Sequence, residues 1–139
     1  MQATRFETKI AVALLADLEP WQKLNVTAFL VSGMGNADPA CIGAPYHDGS
    51  GNEYLAMFVQ PLMVYAATSE ELRAAHARAL GRRMRIAIYT RDLFTTYNDA
   101  DNRAAVAALA HDRLDLVGIA LRDARNAVDR VLGRLNLHS

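Results

Sequence analysis

Apolar residues fall in short runs separated by polar turns, and the spacing inside each run changes along the chain. Lys9 to Leu15 is a continuous, partly β-branched apolar run that ends in Asp17-Leu18-Glu19-Pro20, which predicts a buried strand followed by a helix start. Helix formers continue from Trp21 to Ser32, and Gly33 and Gly35 predict the stop, because glycine accepts the left-handed conformation that closes helices. Residues 33–53 have the Gly, Asn, Asp and Pro content of a long loop. Tyr54 to Ala67 predicts one bent or two short strands, with Pro61 at a bulge or strand edge because it cannot donate to a ladder. Thr68 or Ser69 before Glu70-Glu71 is a capping signature for a helix to Gly81, carried by Leu72, Ala75, Ala79 and Leu80. Met84 to Tyr89 predicts a strand, and Thr90 to Ala110 a turn and a helix from Asn98 or Asp99. Leu114 to Leu121 predicts the last strand, and Asp123 caps a final helix through Leu135.

The first helix is apolar on two sides. Trp21, Leu24, Ala28 and Val31 make one arc, and Val26, Phe29 and Leu30 another roughly opposite. One side is expected to meet the sheet. The arc of Val26, Phe29 and Leu30 is expected to be covered by the 33–53 loop or by a second copy of the chain, with a homodimer preferred because that loop is poor in apolar residues.

Strands alternating with helices predict an α/β single domain over residues 1–139, with a central mixed, mainly parallel four-stranded sheet and helices on both faces. The 139 residues suffice for one core, and 52% hydrophobic with 22% charged residues is an ordinary globular balance. Zero formal net charge leaves any nucleic-acid site to a local patch such as Arg73, Arg78, Arg82, Arg83 and Arg85, whose commoner meaning is a solvated face. One cysteine, Cys41, excludes an internal disulfide and fits a reducing compartment. Met1 to Glu7 does not read as an export signal and no apolar run is long enough to span a bilayer, so a cytoplasmic location without membrane contact is expected.

Three segments resemble type 2 peptidyl-tRNA hydrolases: the opening strand ending in Asp17-Leu18, the run Met84 to Thr96, and Leu116 to Leu137, together with Glu70-Glu71-Leu72. The stretch Trp21-Gln22-Lys23-Leu24-Asn25-Val26-Thr27-Ala28-Phe29-Leu30 resembles the hallmark of the bacterial family catalogued as domain of unknown function 2000. The resemblance implies a type 2 peptidyl-tRNA hydrolase-like fold. It also implies a site made of a lysine at the start of the first helix, a glutamine one turn later, and an aspartate and threonine spaced as Arg-Asp-three residues-Thr. Arg91-Asp92-Leu93-Phe94-Thr95-Thr96 keeps that spacing, so the resemblance puts Asp92 and Thr96 on the matching positions. An ungapped count puts the lysine and glutamine positions on Leu24 and Ala28; a one-residue deletion puts them on Lys23 and Thr27. Leu93 and Phe94 replace the small, glycine-containing residues of the hydrolase motif.

Lys23, Asp92 and Thr96 are the candidate catalytic set: an ammonium to orient substrate or hold an oxyanion, a carboxylate to position water, and a hydroxyl to complete the network. Gln22, Asn25, Thr27, Gln60 and Tyr89 are the candidate substrate-binding residues. Tyr46, Tyr65, Tyr89 and Tyr97 have the amphipathic shape that suits a pocket wall. Cys41 has no visible activating partner and reads as inert. His47, His76, His111 and His138 are scattered, so no metal site and no cofactor are expected, and Gly33-Met34-Gly35 follows a helix instead of opening one, the wrong context for a phosphate loop.

The functional expectation is binding or hydrolysis of an unidentified small molecule where the first helix meets the Asp92 loop. One alternative is a peptidyl-tRNA hydrolase acting on the ester, with tRNA held by the arginines but not favoured by the neutral charge. The other is a non-catalytic interaction module.

Overall fold

The computed structural model describes residues 6–139. Residues 1–5, part of the stretch read for an export signal, lie outside them. The central sheet has five strands in the order β5-β6-β1-β4-β7, where β1 is Thr8–Leu15, β4 Leu62–Ala67, β5 Ile86–Thr90, β6 Leu116–Ala124 and β7 Asn136–Leu137. A separate hairpin pairs β2 (Tyr46–His47) with β3 (Glu53–Tyr54). The helices are α1 (Pro20–Ala37), α2 (Ser69–Gly81), α3 (Asp99–Ala107) and α4 (Arg125–Leu132).

The four-stranded, mainly parallel sheet expected from the alternation of elements is thus corrected. Among the described residues only β1 and β4 pair in parallel, while β1/β6, β5/β6 and β4/β7 are antiparallel. A helix enforces parallel neighbours only when it crosses back over the sheet face. Between β5 and β6, α3 does not cross: it packs on the 3-10 turn Arg91–Phe94 and buries none of its residues, so β6 re-enters antiparallel beside β5. The two-residue strand β7 follows directly on the stretch to Leu135 that was read as the final helix. That helix stops at Leu132, and the chain turns back to pair Asn136 and Leu137 with Ala66 and Tyr65.

Register assigns the two faces, since directly paired residues point the same way. Leu14 pairs with Gly118 and Tyr89 pairs with Gly118, and a Cβ built on Gly118 would meet Val26 and Leu30, so this face carries α1. The opposite face holds Lys9, whose Nζ donates to Asp129 Oδ1 of α4 at 2.7 Å, and α2 packs beside α4 with the Arg78 guanidinium donating to the Val131 carbonyl at 2.6 Å. Helices therefore cover both faces. Arg78 thereby leaves the arginine cluster for a structural role.

The arc of Val26 and Leu30 faces the sheet, with Met34 one turn on. The sheet, and not the 33–53 loop, covers Val26 and Leu30. Phe29 sits at the edge of that arc with its ring against Tyr89. The helix also outruns its expected end. Gly33 and Gly35 keep ordinary negative φ angles, so neither closes the helix, and a Cβ on Gly33 would meet Ala87 Cβ at 3.5 Å, an ordinary contact. On α2, Thr68 forms the expected capping box with Glu71, but His76 takes the inner position and Leu80 is exposed. Burial, then the nearby His111, pushes the His76 pKa down.

The 33–53 loop is replaced by the tail of α1, a 3-10 turn at Pro39–Cys41 and the β2/β3 hairpin. The hairpin tip is organised by Asp48. Its carboxylate accepts from Asn52 Nδ2 (2.9 Å), Tyr54 Oη (2.8 Å) and the Asn52 and Ser50 backbone N–H groups (3.0 and 2.9 Å). These bonds, led by the Asn52 side chain and then Tyr54, hold the Asp48 carboxyl far below the ordinary carboxylate range. A depressed folded-state pKa stabilises above the unfolded value and that contribution is lost as pH falls through the folded one. Asp48 is therefore expected to stay ionised, and the tip ordered, at a pH of about 3, where a free aspartate with a pKa of about 3.9 is mostly protonated. A carbon-detected NMR titration of the Asp48 carboxyl checks this, and a midpoint near the free value would contradict it.

Candidate functional site

β1 and β5 run in the same direction, so the start of α1 and the segment after β5 emerge at one end of the sheet, outside the carboxyl ends of both strands. A register shift between Tyr89 and Thr90 bends the end of β5 there. The following 3-10 turn is fastened to the rest of the fold through Arg91, whose backbone N–H donates to the Asp115 carbonyl (2.9 Å) and whose Nε donates to the Asp115 carboxylate (3.1 Å). Asn98 then starts α3 by accepting from the Asp101 N–H at 2.8 Å.

Between α1 and this segment lies an open cleft of about 400 Å³. Five aromatic residues line it: Trp21 and Phe29 from α1, Tyr89 from β5, and Phe94 and Tyr97 from the segment after it. Four of them form a chain of ring contacts, with centroids 5.8 Å apart for Trp21 and Phe94, 5.2 Å for Phe94 and Tyr89, and 5.9 Å for Tyr89 and Phe29. The polar lining consists of Asn25, Thr96, Asn98, Asp99 and Asn102, with the Tyr89 hydroxyl. Asn25 Nδ2 donates to Tyr89 Oη at 3.2 Å, and Thr96 Oγ1 donates to Asn102 Oδ1. Burial pushes the Tyr89 pKa up, offset in part by the Asn25 bond, so the phenol stays neutral and keeps a proton to donate.

The cleft gathers Asn25, Tyr89 and Thr96 from the sequence-derived candidates and leaves the others elsewhere. Lys23 and Thr27 line a different cavity of about 600 Å³ on the other flank of α1, with Leu14, Leu24, Val64 and His138. The helix dictates this: Lys23 and Asn25 are two residues apart, a rotation of about 200° on an α-helix, so they face opposite flanks, whereas Trp21 and Asn25 are one turn apart on the same face. Thr27 Oγ1 donates back to the Lys23 carbonyl at 2.8 Å. Asp92 is exposed on the 3-10 turn, outside the cleft lining, and its carbonyl accepts from the Thr95 N–H and hydroxyl. Gln22 closes a capping box by accepting from the Glu19 N–H at 2.9 Å. Gln60 is buried against the start of β1, donating to the Thr8 carbonyl at 3.0 Å.

Of the four tyrosines singled out, Tyr89 and Tyr97 line the cleft, while Tyr65 is buried beneath Lys9 and Tyr46 belongs to the hairpin. Trp21, Phe29, Phe94 and Asn102 were not among the site residues the sequence pointed to. The available signal was the i, i+4, i+8 series Trp21, Asn25, Phe29, which marks one helix face. Cys41 is buried against the Met34 carbonyl, and burial pushes its thiol pKa up, which disfavours the thiolate. Among the described residues no group of three or more His, Cys, Asp or Glu stands together as a metal site, and no helix is long and apolar enough to cross a membrane.

These features define a mixed α/β protein with one five-stranded sheet and an aromatic cleft at the carboxyl ends of β1 and β5. The family described as "Protein of unknown function (DUF2000)" matches residues 8–139, and the chain belongs to it. The chain is also similar to a solved structure, a protein of unknown function from Agrobacterium tumefaciens strain C58. The two are 44% identical with a TM-score of 0.94, over 97% of this chain and 100% of that one. Among curated proteins no relative matches.

Proposed function

We propose that this protein binds a small molecule in the cleft between α1 and residues 91–102. The observation that carries the reading is the convergence, against aromatic walls, of polar groups from four elements: the Asn25 amide, the Tyr89 hydroxyl, the Thr96 hydroxyl and the Asn102 amide. A concave site of a few hundred Å³ with apolar walls and a few directed polar groups is the ordinary form of a ligand site.

Binding ranks ahead of hydrolysis because Lys23, the ammonium that the hydrolytic reading needs, lines the other flank of α1. The likeness to the type 2 peptidyl-tRNA hydrolase fold belongs to this proposal. What supports it is the Arg91–Thr96 motif, which borders the cleft with Thr96 in its lining. Ester hydrolysis, including that of peptidyl-tRNA, is a second reading favoured by the same position of Thr96, with Asp92 at the start of the same turn. It requires a water-positioning carboxylate at the reacting carbon.

Titration of nitrogen-15-labelled protein with fragment-sized amides and amines tests the proposal. Saturable shifts of the Trp21 indole N–H and of the Asn25 and Asn102 side-chain amides are the expected result, without release of product from N-acyl amino acid esters. Ester turnover that is lost in Thr96→Val would instead promote the hydrolytic reading.

A further inference from the structure

We infer that the ligand of this cleft carries an organic ammonium group, an alkylated or quaternary amine that seats among the rings of Trp21, Phe94 and Tyr89. The inference rests on the binding reading above and names the ligand's chemistry.

The first argument is the arrangement of the rings. The planes of Trp21 and Phe94 meet at 69°, those of Phe94 and Tyr89 at 49°, and those of Tyr89 and Phe29 at 70°. A slot for a flat heterocycle needs two parallel rings with a gap between them. Rings that meet at 49° to 70° leave no such slot and instead border an angular recess, which fits a compact, rounded group. The face of each ring carries negative quadrupole potential, so each face left open to the cleft attracts a cation whose charge is spread over methyl or methylene groups.

The second argument is charge. Among the described residues that line the cleft no Lys, Arg or His occurs, and Asp99 is the one ionised side chain. A phosphate or carboxylate ligand would have no side-chain counter-ion, whereas an ammonium has one. Asp99 pairs with Arg103 at 2.9 Å, but both side chains are largely exposed, and a surface pair of this kind is weak enough to be shared with a ligand.

The opposing effect is the positive end of the two helices that start here. Both starts are already answered from within the chain. The Glu19 side chain accepts from the Gln22 N–H and Asn98 accepts from the Asp101 N–H, with the Asp99 and Asp101 carboxylates in the first turn of α3. The charges nearest these helix starts are therefore acidic.

Trp21 is the only tryptophan, so its emission reports on the cleft directly. The probes are choline, its neutral carbon isostere dimethylbutanol, and isovalerate as an anion of similar shape. Choline is expected to change the emission saturably, with the neutral isostere half-saturating at a concentration roughly 2- to 30-fold higher, the range from an exposed to a desolvated cation–π contact. Isovalerate should give no saturation. Asp99→Asn, a surface change, should weaken choline binding several-fold and leave the isostere unaffected, and Phe94→Leu, with its fold checked by circular dichroism, should weaken choline most. Equal or tighter binding of the alcohol or the anion overturns the ammonium inference while leaving cleft binding standing. No saturation by choline overturns it as well. If, in addition, no fragment shifts the Trp21, Asn25 and Asn102 resonances, the binding reading falls with it.

Discussion

Leu30→Ala is expected to lower the free energy of unfolding by about 2–5 kcal/mol, the range for truncating a buried leucine whose site cannot collapse. Of the 18 residues of α1, only Val26, Leu30 and Met34 are buried, so the docking of a long helix rests on three side chains. Leu30 is the largest fully buried one of the three, 2% exposed and seated over Gly118. Its loss removes a substantial part of a total that for such domains is about 5–15 kcal/mol. Leu24, six residues earlier on the same helix, is 74% exposed. Leu24→Ala should change stability by no more than about 0.5 kcal/mol. Urea unfolding checks both: the midpoint should fall for Leu30→Ala with an unchanged slope and stay in place for Leu24→Ala. Equal effects would mean that α1 is docked by the wrong face.

The second large effect is expected at Gly118, near the start of β6. A β-branched residue there would satisfy strand propensity, and Gly→Ala at a compatible site commonly stabilises by about 0.4–1 kcal/mol. Packing decides the sign. A Cβ at this position would lie 2.7 Å from Val26 Cγ1, 3.0 Å from Leu30 Cδ1 and 3.3 Å from Leu14 Cδ2. All three neighbours are buried and hemmed in by the sheet and α1, so none can swing into solvent. Gly118→Ala is expected to destabilise, and Gly118→Val to do so by about 1–3 kcal/mol by lifting α1 from the sheet. Because Gly118 pairs with Tyr89, the same displacement should disturb the cleft and shift the Trp21 emission. A stabilised Gly118→Ala would contradict this packing.

Much of the fold is legible in the sequence because periodicity and end signals agree. The apolar run from Lys9 to Leu15, the capping box at Thr68 and Glu71, and Asn98 ahead of α3 are each local, and each element forms where those residues place it, to within a residue. What local pattern cannot supply is which side of an element meets the rest. The two apolar arcs of α1 look equivalent in sequence, and only the position of Gly118 makes the Val26–Leu30 arc the inner one. Glycines 33 and 35 look like a helix stop, yet both lie inside α1, where a Cβ on either would meet its neighbours at ordinary contact distance. Parallel or antiparallel pairing depends on whether α3 crosses the sheet, a long-range matter that no window of residues records. The site shows the same division. The resemblance draws attention to the first helix and the Arg91–Thr96 motif, and those two segments do border one cleft. A shift of two residues along the helix, from Lys23 to Trp21 and Asn25, changes the chemistry from a cationic site to an aromatic one.

The central claim is that the functional cavity is the aromatic cleft on the Asn25 flank of α1 and not the apolar one on the Lys23 flank. Mapping the shifts of backbone and side-chain resonances during a choline titration separates the two most directly. Shifts concentrated at the Trp21 indole, the Asn25 and Asn102 amides and the backbone of Phe94 to Asn98 are the predicted result. Shifts confined to Leu24, Thr27, Val64 and His138, with the Trp21 indole unmoved, would contradict the account.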